Sequence, residues 1–278
     1  ILVAAGGERN ALPTARNAWL GRFERPWEPG NALPVALGEV AGGVIGSRLF
    51  LVGHDNTATL ALDLGTGRWE GTNRYHVRIA WGDHHGAEVI GSRLYLFGGL
   101  GAGAGQVQIF DPAENSWILG PPMPFLTGAA ATTLIGGQAY VAGGIVGDTT
   151  TRLAARFNPA TGEWVPIAPM PRARNHAAAA TDGLRFFVFG GRGPGSGEGN
   201  VVANGFDDVQ IYDPATDQWI ASGDGPGAPA PLPQARGGMG KAVYLDGEFW
   251  VFGGETLDGP GATRLNAYDR VDIYSPAS

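Results

Sequence analysis

Cysteine is absent from the 278 residues. That excludes a disulfide framework, a thiolate metal site and a cysteine nucleophile. The absence suits oxidising and reducing compartments alike, and an extracellular or periplasmic setting is favoured over a cytoplasmic one. Charge is also scarce, at 16% of residues, and lysine occurs once, as Lys241. With a net charge of −7 the chain lacks the basic stripe that a phosphate backbone requires, so nucleic acid is not an expected partner. No run approaches the roughly 18 apolar residues of a transmembrane helix, so membrane insertion is not expected. Asn-x-Ser/Thr is missing, which removes N-glycosylation. The opening ILVAAGG is too short for a signal-peptide core and lacks a basic flank, and it reads as a chain entered mid-pattern.

What is abundant is glycine, 47 of 278 residues, which suits many tight turns. Short apolar strands ending in Gly-Gly or a near equivalent recur at ILVAAGG, RLFLVGH, RLYLFGG, AYVAGG, FFVFGG and FWVFGG. Their first glycines stand at 6, 53, 98, 143, 190 and 253, so the spacing is 45 to 47 residues until a last interval of 63. A second phrase runs in step: FDPAENSW at 110–117, FNPATGEW at 157–164 and YDPATDQW at 212–219. Its Asp or Asn accepts backbone N–H bonds, its Pro fixes φ for a turn, and its Trp packs between neighbouring repeats.

Each repeat holds four short strands and no helical apolar period, which predicts the blade of a β-propeller. Small residues such as HAAAA at 176–180 suit the crowded innermost strand. The whole chain, 1–278, is expected to be one all-β domain of six four-stranded antiparallel blades, or seven if the native chain is longer. The first repeat lacks its inner strand and the last lacks its Trp strand.

The Gly-Gly strand ends, the aromatic-to-Trp spacing and PMPRAR at 169–174 resemble kelch repeats of the galactose oxidase/kelch superfamily. The resemblance implies a six-bladed kelch propeller whose function sits on the links and loops of one face. It also implies that Arg174 and Arg236, at the link position that contacts acidic peptides in some kelch domains, are ligand contacts. The superfamily's radical-copper chemistry needs a Cys–Tyr cross-link and is excluded here.

The irregular segments supply the other candidates. The link RYHVRIAWGDHH at 74–85 offers Arg78, Trp81 and His84, and PMPRARNH offers Arg174 and His176. His54 replaces the second glycine of its repeat, and Arg192 follows the Gly190-Gly191 end. The arginines suggest an anionic group on the ligand. Five histidines, at 54, 76, 84, 85 and 176, show no zinc spacing, so neither a metal nor a cofactor is expected. Glycine-rich stretches at 101–105 and 191–208 open no helix and are not phosphate loops.

The expected function is a binding module for a protein segment or a carbohydrate, either monomeric or part of a multidomain chain. An enzyme is the lesser reading: Glu255 and Arg264 loosely resemble the acid and arginine of kelch-type sialic acid mutarotases, which implies a sugar-acid isomerase. A purely structural domain of a larger protein is the third.

Overall fold

The computed structural model describes residues 30–54, 56–71, 74–147, 149–193, 205–257 and 265–276, together with the backbone of strands Leu2–Ala5, Glu8–Arg9, Leu12–Pro13, Asn17–Leu20 and Glu28–Pro29. Trp27, the segment 194–204 and Arg264 lie outside the described residues. Within those residues the regular structure is β throughout, apart from one 3-10 turn at Gly101–Gly103.

The chain divides into two compact units, Ile1–Pro122 and Met123–Ser278. In the first, two four-stranded sheets follow the predicted order. One is built from Ala41–Ile45, Arg48–Gly53, Asn56–Asp63 and Arg68–Trp69, the other from Gly86–Ile90, Arg93–Phe97, Val107–Asp111 and Ser116–Leu119. Neighbouring strands are antiparallel, with Tyr95 opposite both Glu88 and Ile109. Before them, Leu2–Ala5, Asn17–Leu20 and Glu28–Pro29 make a three-stranded sheet.

The second unit repeats the pattern. Ala131–Ile135, Gln138–Ala142, Ala154–Asn158 and Glu163–Ile167 form one sheet, and Ala178–Thr181, Phe186–Phe189, Val209–Asp213 and Gln218–Ala221 form the next. The last sheet has three strands, Val243–Leu245, Glu248–Phe252 and Val271–Tyr274. Among the described residues the first and the last sheet thus each have three strands.

The repeated phrase acts as a turn and a wedge. Asp111 Oδ1 accepts from the N–H of Ala113 at 3.0 Å and of Glu114 at 3.3 Å. Asn158 and Asp213 make the same bond to Ala160 and Ala215. Trp117 lies against Phe110 of its own sheet while its Nε1 donates to Thr59 Oγ1 of the preceding sheet at 3.0 Å. Phe50, Tyr75 and Phe110 meet edge-on around it, with centroids 5.3 to 5.8 Å apart. Such contacts add about 0.5–1.5 kcal/mol each beyond area burial. The inner strand Ala178–Thr181 packs its buried alanines against Phe187, Phe189 and Phe249.

Candidate functional site

Two links are held in the same way, one in each unit. In the first, the N–H groups of His76, Arg78 and Ala80 donate to Asn115 Oδ1, Thr57 O and Gln108 Oε1 at 2.9, 2.9 and 2.8 Å. In the second, Ala168, Met170 and Arg172 donate to Asp217 Oδ1, Arg152 O and Gln210 Oε1 at 2.8, 2.8 and 3.0 Å. Trp117 and Trp219 donate their ring N–H to the carbonyls of His76 and Ala168. Alternate residues thus turn their polar backbone inward, and both links bend at matching points, Ile79–Ala80 and Pro171–Arg172.

The residue after each link caps the carbonyl of a first glycine. In the second unit Thr127 Oγ1 donates to Gly143 O at 2.8 Å, Arg174 Nη1 to Gly190 O at 2.7 Å and Arg236 Nε to Gly253 O at 2.7 Å. In the first unit His85 Nδ1 donates to Gly98 O at 2.5 Å, and Arg78 Nη2 donates to Gly53 O at 2.9 Å. These carbonyls end their strands and otherwise lose a ladder partner, so the fold needs a donor at this point.

The arginines are neutralised where they lie. Arg174 is fully buried, with Nη2 bonded to both carboxylate oxygens of Asp208 at 2.8 and 3.1 Å and its guanidinium over Phe206. Arg236, equally buried, meets Asp272 Oδ2 at 2.8 Å. Burial pulls both guanidiniums below the ordinary arginine value, and the aspartates oppose the shift. Burial also lowers Arg78, to about 10. Its Nη1 donates to His85 Nε2 at 2.5 Å and to Gly82 O at 3.0 Å. His85 is held neutral: burial first and Arg78 second depress it from 6.5 to about 4. These guanidiniums stitch the repeats and do not form a cationic surface for an anionic ligand.

Fourteen residues before glycines 53, 98, 143 and 190 stand Glu39, His84, Ala129 and His176, each with φ between 46° and 54°. At the corresponding point before Gly253 stands Gly238, with φ 66°. This left-handed position is a fixed feature of the repeat, and it carries a side chain at the start of the inner strand.

In the first unit it gathers four polar groups. His84 Nδ1 meets Asp83 Oδ1 at 2.6 Å and Nε2 meets Glu39 Oε2 at 3.2 Å, while His54 Nε2 lies 3.4 Å from Asp83 Oδ2. Trp81, two residues before Asp83 in the chain, is half exposed, with its ring laid against Gly101. In the second unit His176 Nδ1 meets Asn175 Oδ1 at 2.5 Å, and Arg192 Nη2 pairs with Glu255 Oε1. Gly238 makes room for that pair: a Cβ there would lie 2.4 Å from Arg192 Nη2 and 2.6 Å from Glu255. Among the described residues no group of three or more His, Asp or Glu side chains is arranged to hold a metal ion.

The predicted residues therefore separate. His54 and His84 come together on Asp83, Trp81 lies half exposed against Gly101, and Arg192 joins Glu255. Arg78, Arg174 and Arg236 are internal. Glu39 escaped the sequence reading, although it stands fourteen residues before its glycine as His84 and His176 do.

The Kelch motif model matches residues 83–124, 127–171 and 173–222, three consecutive repeats whose bounds follow the observed sheets. The chain is a kelch-repeat β-propeller. It is similar to the Kelch-like protein terF of Aspergillus terreus, with 25% identity over 305 aligned positions. That alignment covers the whole of this chain and 62% of the fungal protein, so the chain spans less than two thirds of its relative's length. Kelch-repeat propellers typically serve as protein-interaction modules, and neither comparison points to a carbohydrate. No helix among the described residues is long and apolar enough to cross a membrane.

Proposed function

We propose that this kelch propeller is a protein-interaction module that takes a protein segment on the loop face carrying His54, Trp81 and His84. What supports this reading is the half-exposed Trp81, two residues before Asp83 in the chain, together with the partly exposed His84, His54 and Glu39 that meet around Asp83 and His84. An amphipathic aromatic next to hydrogen-bonding groups is the composition of an interface anchor. His176, in the register of His84, is proposed as a contact in the second unit, while Arg192 is buried against Glu255. Arg78 acts behind the face, holding the loop that presents it, and Arg174 and Arg236 hold the links of the second unit in their own repeats.

The sugar-acid isomerase reading has less support. The Glu255 carboxylate is taken by Arg192, and Arg264 lies outside the described residues. The test is a photo-reactive amino acid placed at Trp81, with Leu184, 75% exposed on a hairpin, as control. Cross-linking of a protein partner at position 81 and not at 184 is expected. Absence of a cross-link at 81, or equal yield at both, would sink the proposal.

A further inference from the structure

Seven residues before glycines 53, 98, 143 and 253 a two-residue turn joins the inner strand to the next one. In three of these turns the first residue is glycine in the left-handed region, Gly46 at φ 60°, Gly91 at 62° and Gly136 at 57°. In the last sheet the place is taken by Asp246, at φ 52°, with Gly247 after it at φ 87°. Leu245 and Glu248 pair across this turn. Aspartate tolerates the left-handed region better than most residues but less well than glycine. The last repeat has thus set a strained aspartate directly before a glycine.

An Asp-Gly pair can rearrange. The glycine nitrogen attacks the carboxyl carbon of the neutral aspartic acid, the hydroxyl leaves with the amide hydrogen as water, and a five-membered imide forms. Water then reopens the ring. Opening at the former side-chain carbonyl restores aspartate, and opening at the main-chain carbonyl leaves isoaspartate, whose chain runs on through the old side chain. Water is lost and regained, and nothing is oxidised. Glycine suits the attack because no Cβ shields its nitrogen. A carboxylate held by donors resists, because it is kept ionised and tied in place.

Among the described residues aspartate precedes glycine at 182, 224 and 246, and the three carboxylates are held differently. The Asp182 side chain is only 8% exposed. It accepts from the N–H groups of Leu184 and Arg185 at 2.9 and 2.7 Å and from the Arg185 guanidinium at 3.0 and 2.9 Å. Burial raises its pKa, but these bonds outweigh burial and hold the carboxyl below the usual range. Asp224 is exposed, yet its Oδ2 accepts from the Ala221 N–H at 2.6 Å. Asp246 is exposed, and among the described residues its side chain has no hydrogen-bond or ion-pair partner. The space beside Gly247 is open as well. Asn204 and Asp258, which also precede glycine, lie outside the described residues.

We propose that Asp246–Gly247 is a site of isoaspartate formation, where the folded chain rearranges faster than at Asp182 or Asp224. The product adds a methylene to the main chain inside a two-residue turn whose geometry is matched to its strands, so the Leu245–Glu248 closure loosens. It also frees the α-carboxylate of residue 246, the group that isoaspartyl methyltransferases esterify with S-adenosylmethionine as methyl donor.

The full chain aged at neutral pH, digested with trypsin and sequenced by electron-transfer fragmentation tests this. Fragmentation is needed because residues 242–264 form one tryptic peptide that holds both Asp246 and Asp258. In the folded chain isoaspartate should accumulate fastest at 246, more slowly at 224 and slowest at 182, several-fold apart between the extremes. In guanidinium the three rates should converge, because only the fold tells the pairs apart. Amide exchange across 243–252 should quicken in step with isoaspartate at 246. Asp246→Gly, which restores the residue of the three matching turns, should keep the melting temperature of the fresh chain and hold that exchange slow on ageing. Equal accumulation at 182 and 246 in the folded chain, or isoaspartate at 246 only after unfolding, overturns the proposal.

Discussion

Arg174 and Asp208 meet through two hydrogen bonds from one guanidinium nitrogen, at 2.8 and 3.1 Å, with neither group reaching solvent. A buried charge is tolerable only while its counter-ion is present. Asp208→Asn should therefore destabilise the fold by about 3–5 kcal/mol, the usual cost of leaving one member of a buried pair alone. Chemical denaturation checks this, and a loss below about 1 kcal/mol would contradict the pairing.

His85 predicts an acid limit. Its folded-state value of about 4 lies below the ordinary 6.5, so below pH 6.5 the unfolded chain takes up a proton that the folded chain refuses. Stability is then fully present above 6.5 and falls as the pH drops toward 4, by as much as about 3 kcal/mol. His85→Gln keeps one donor and one acceptor and should flatten the melting temperature across that window. An unchanged slope would refute the assignment.

The turn aspartates act at lower pH. Asp111 is held below the carboxylate range by Arg93 first and the turn N–H groups after it, and Asp217 by the Ala168 N–H and Tyr212. Lowered carboxylates contribute stability above their unfolded value, near 3.8, which is lost as the pH falls further. Asp217→Asn should remove part of the acid sensitivity below pH 4, read as a shallower loss of melting temperature.

Gly238→Ala tests the left-handed position. The new methyl group would strain a backbone at φ 66° and collide with Arg192 and Glu255. About 1–3 kcal/mol of stability should be lost, as for other unfavourable left-handed residues. Ala129→Gly relieves the same kind of strain, at φ 52°, and should be neutral or stabilising. Paired thermal melts distinguish the two directions.

Much of the fold was legible because the repeat announces itself: the Asp-Pro turn, the Trp seven residues after an aromatic and the Gly-Gly ends all serve the roles expected of them. The link arginines were visible too, but not their direction. A guanidinium at Arg174 can point to a ligand or to Gly190 O, and the choice is made by Asp208, 34 residues away, in a strand start that carries no local signal. Glu39 looked like an ordinary loop carboxylate because the left-handed backbone that groups it with His84 is a conformation and not a residue type.

The links at 76–80 and 168–172 are anchored by the same three inward bonds, with Gln108 and Gln210 in matching places, yet their outer faces have nothing in common. Anchorage and outward identity are therefore independently variable in this architecture. Placing valine, isoleucine and tryptophan at Pro169, Pro171 and Ala173 would give a second repeat the same exposed residues while leaving in place the partners that fasten the segment, Asp217, Arg152 and Gln210.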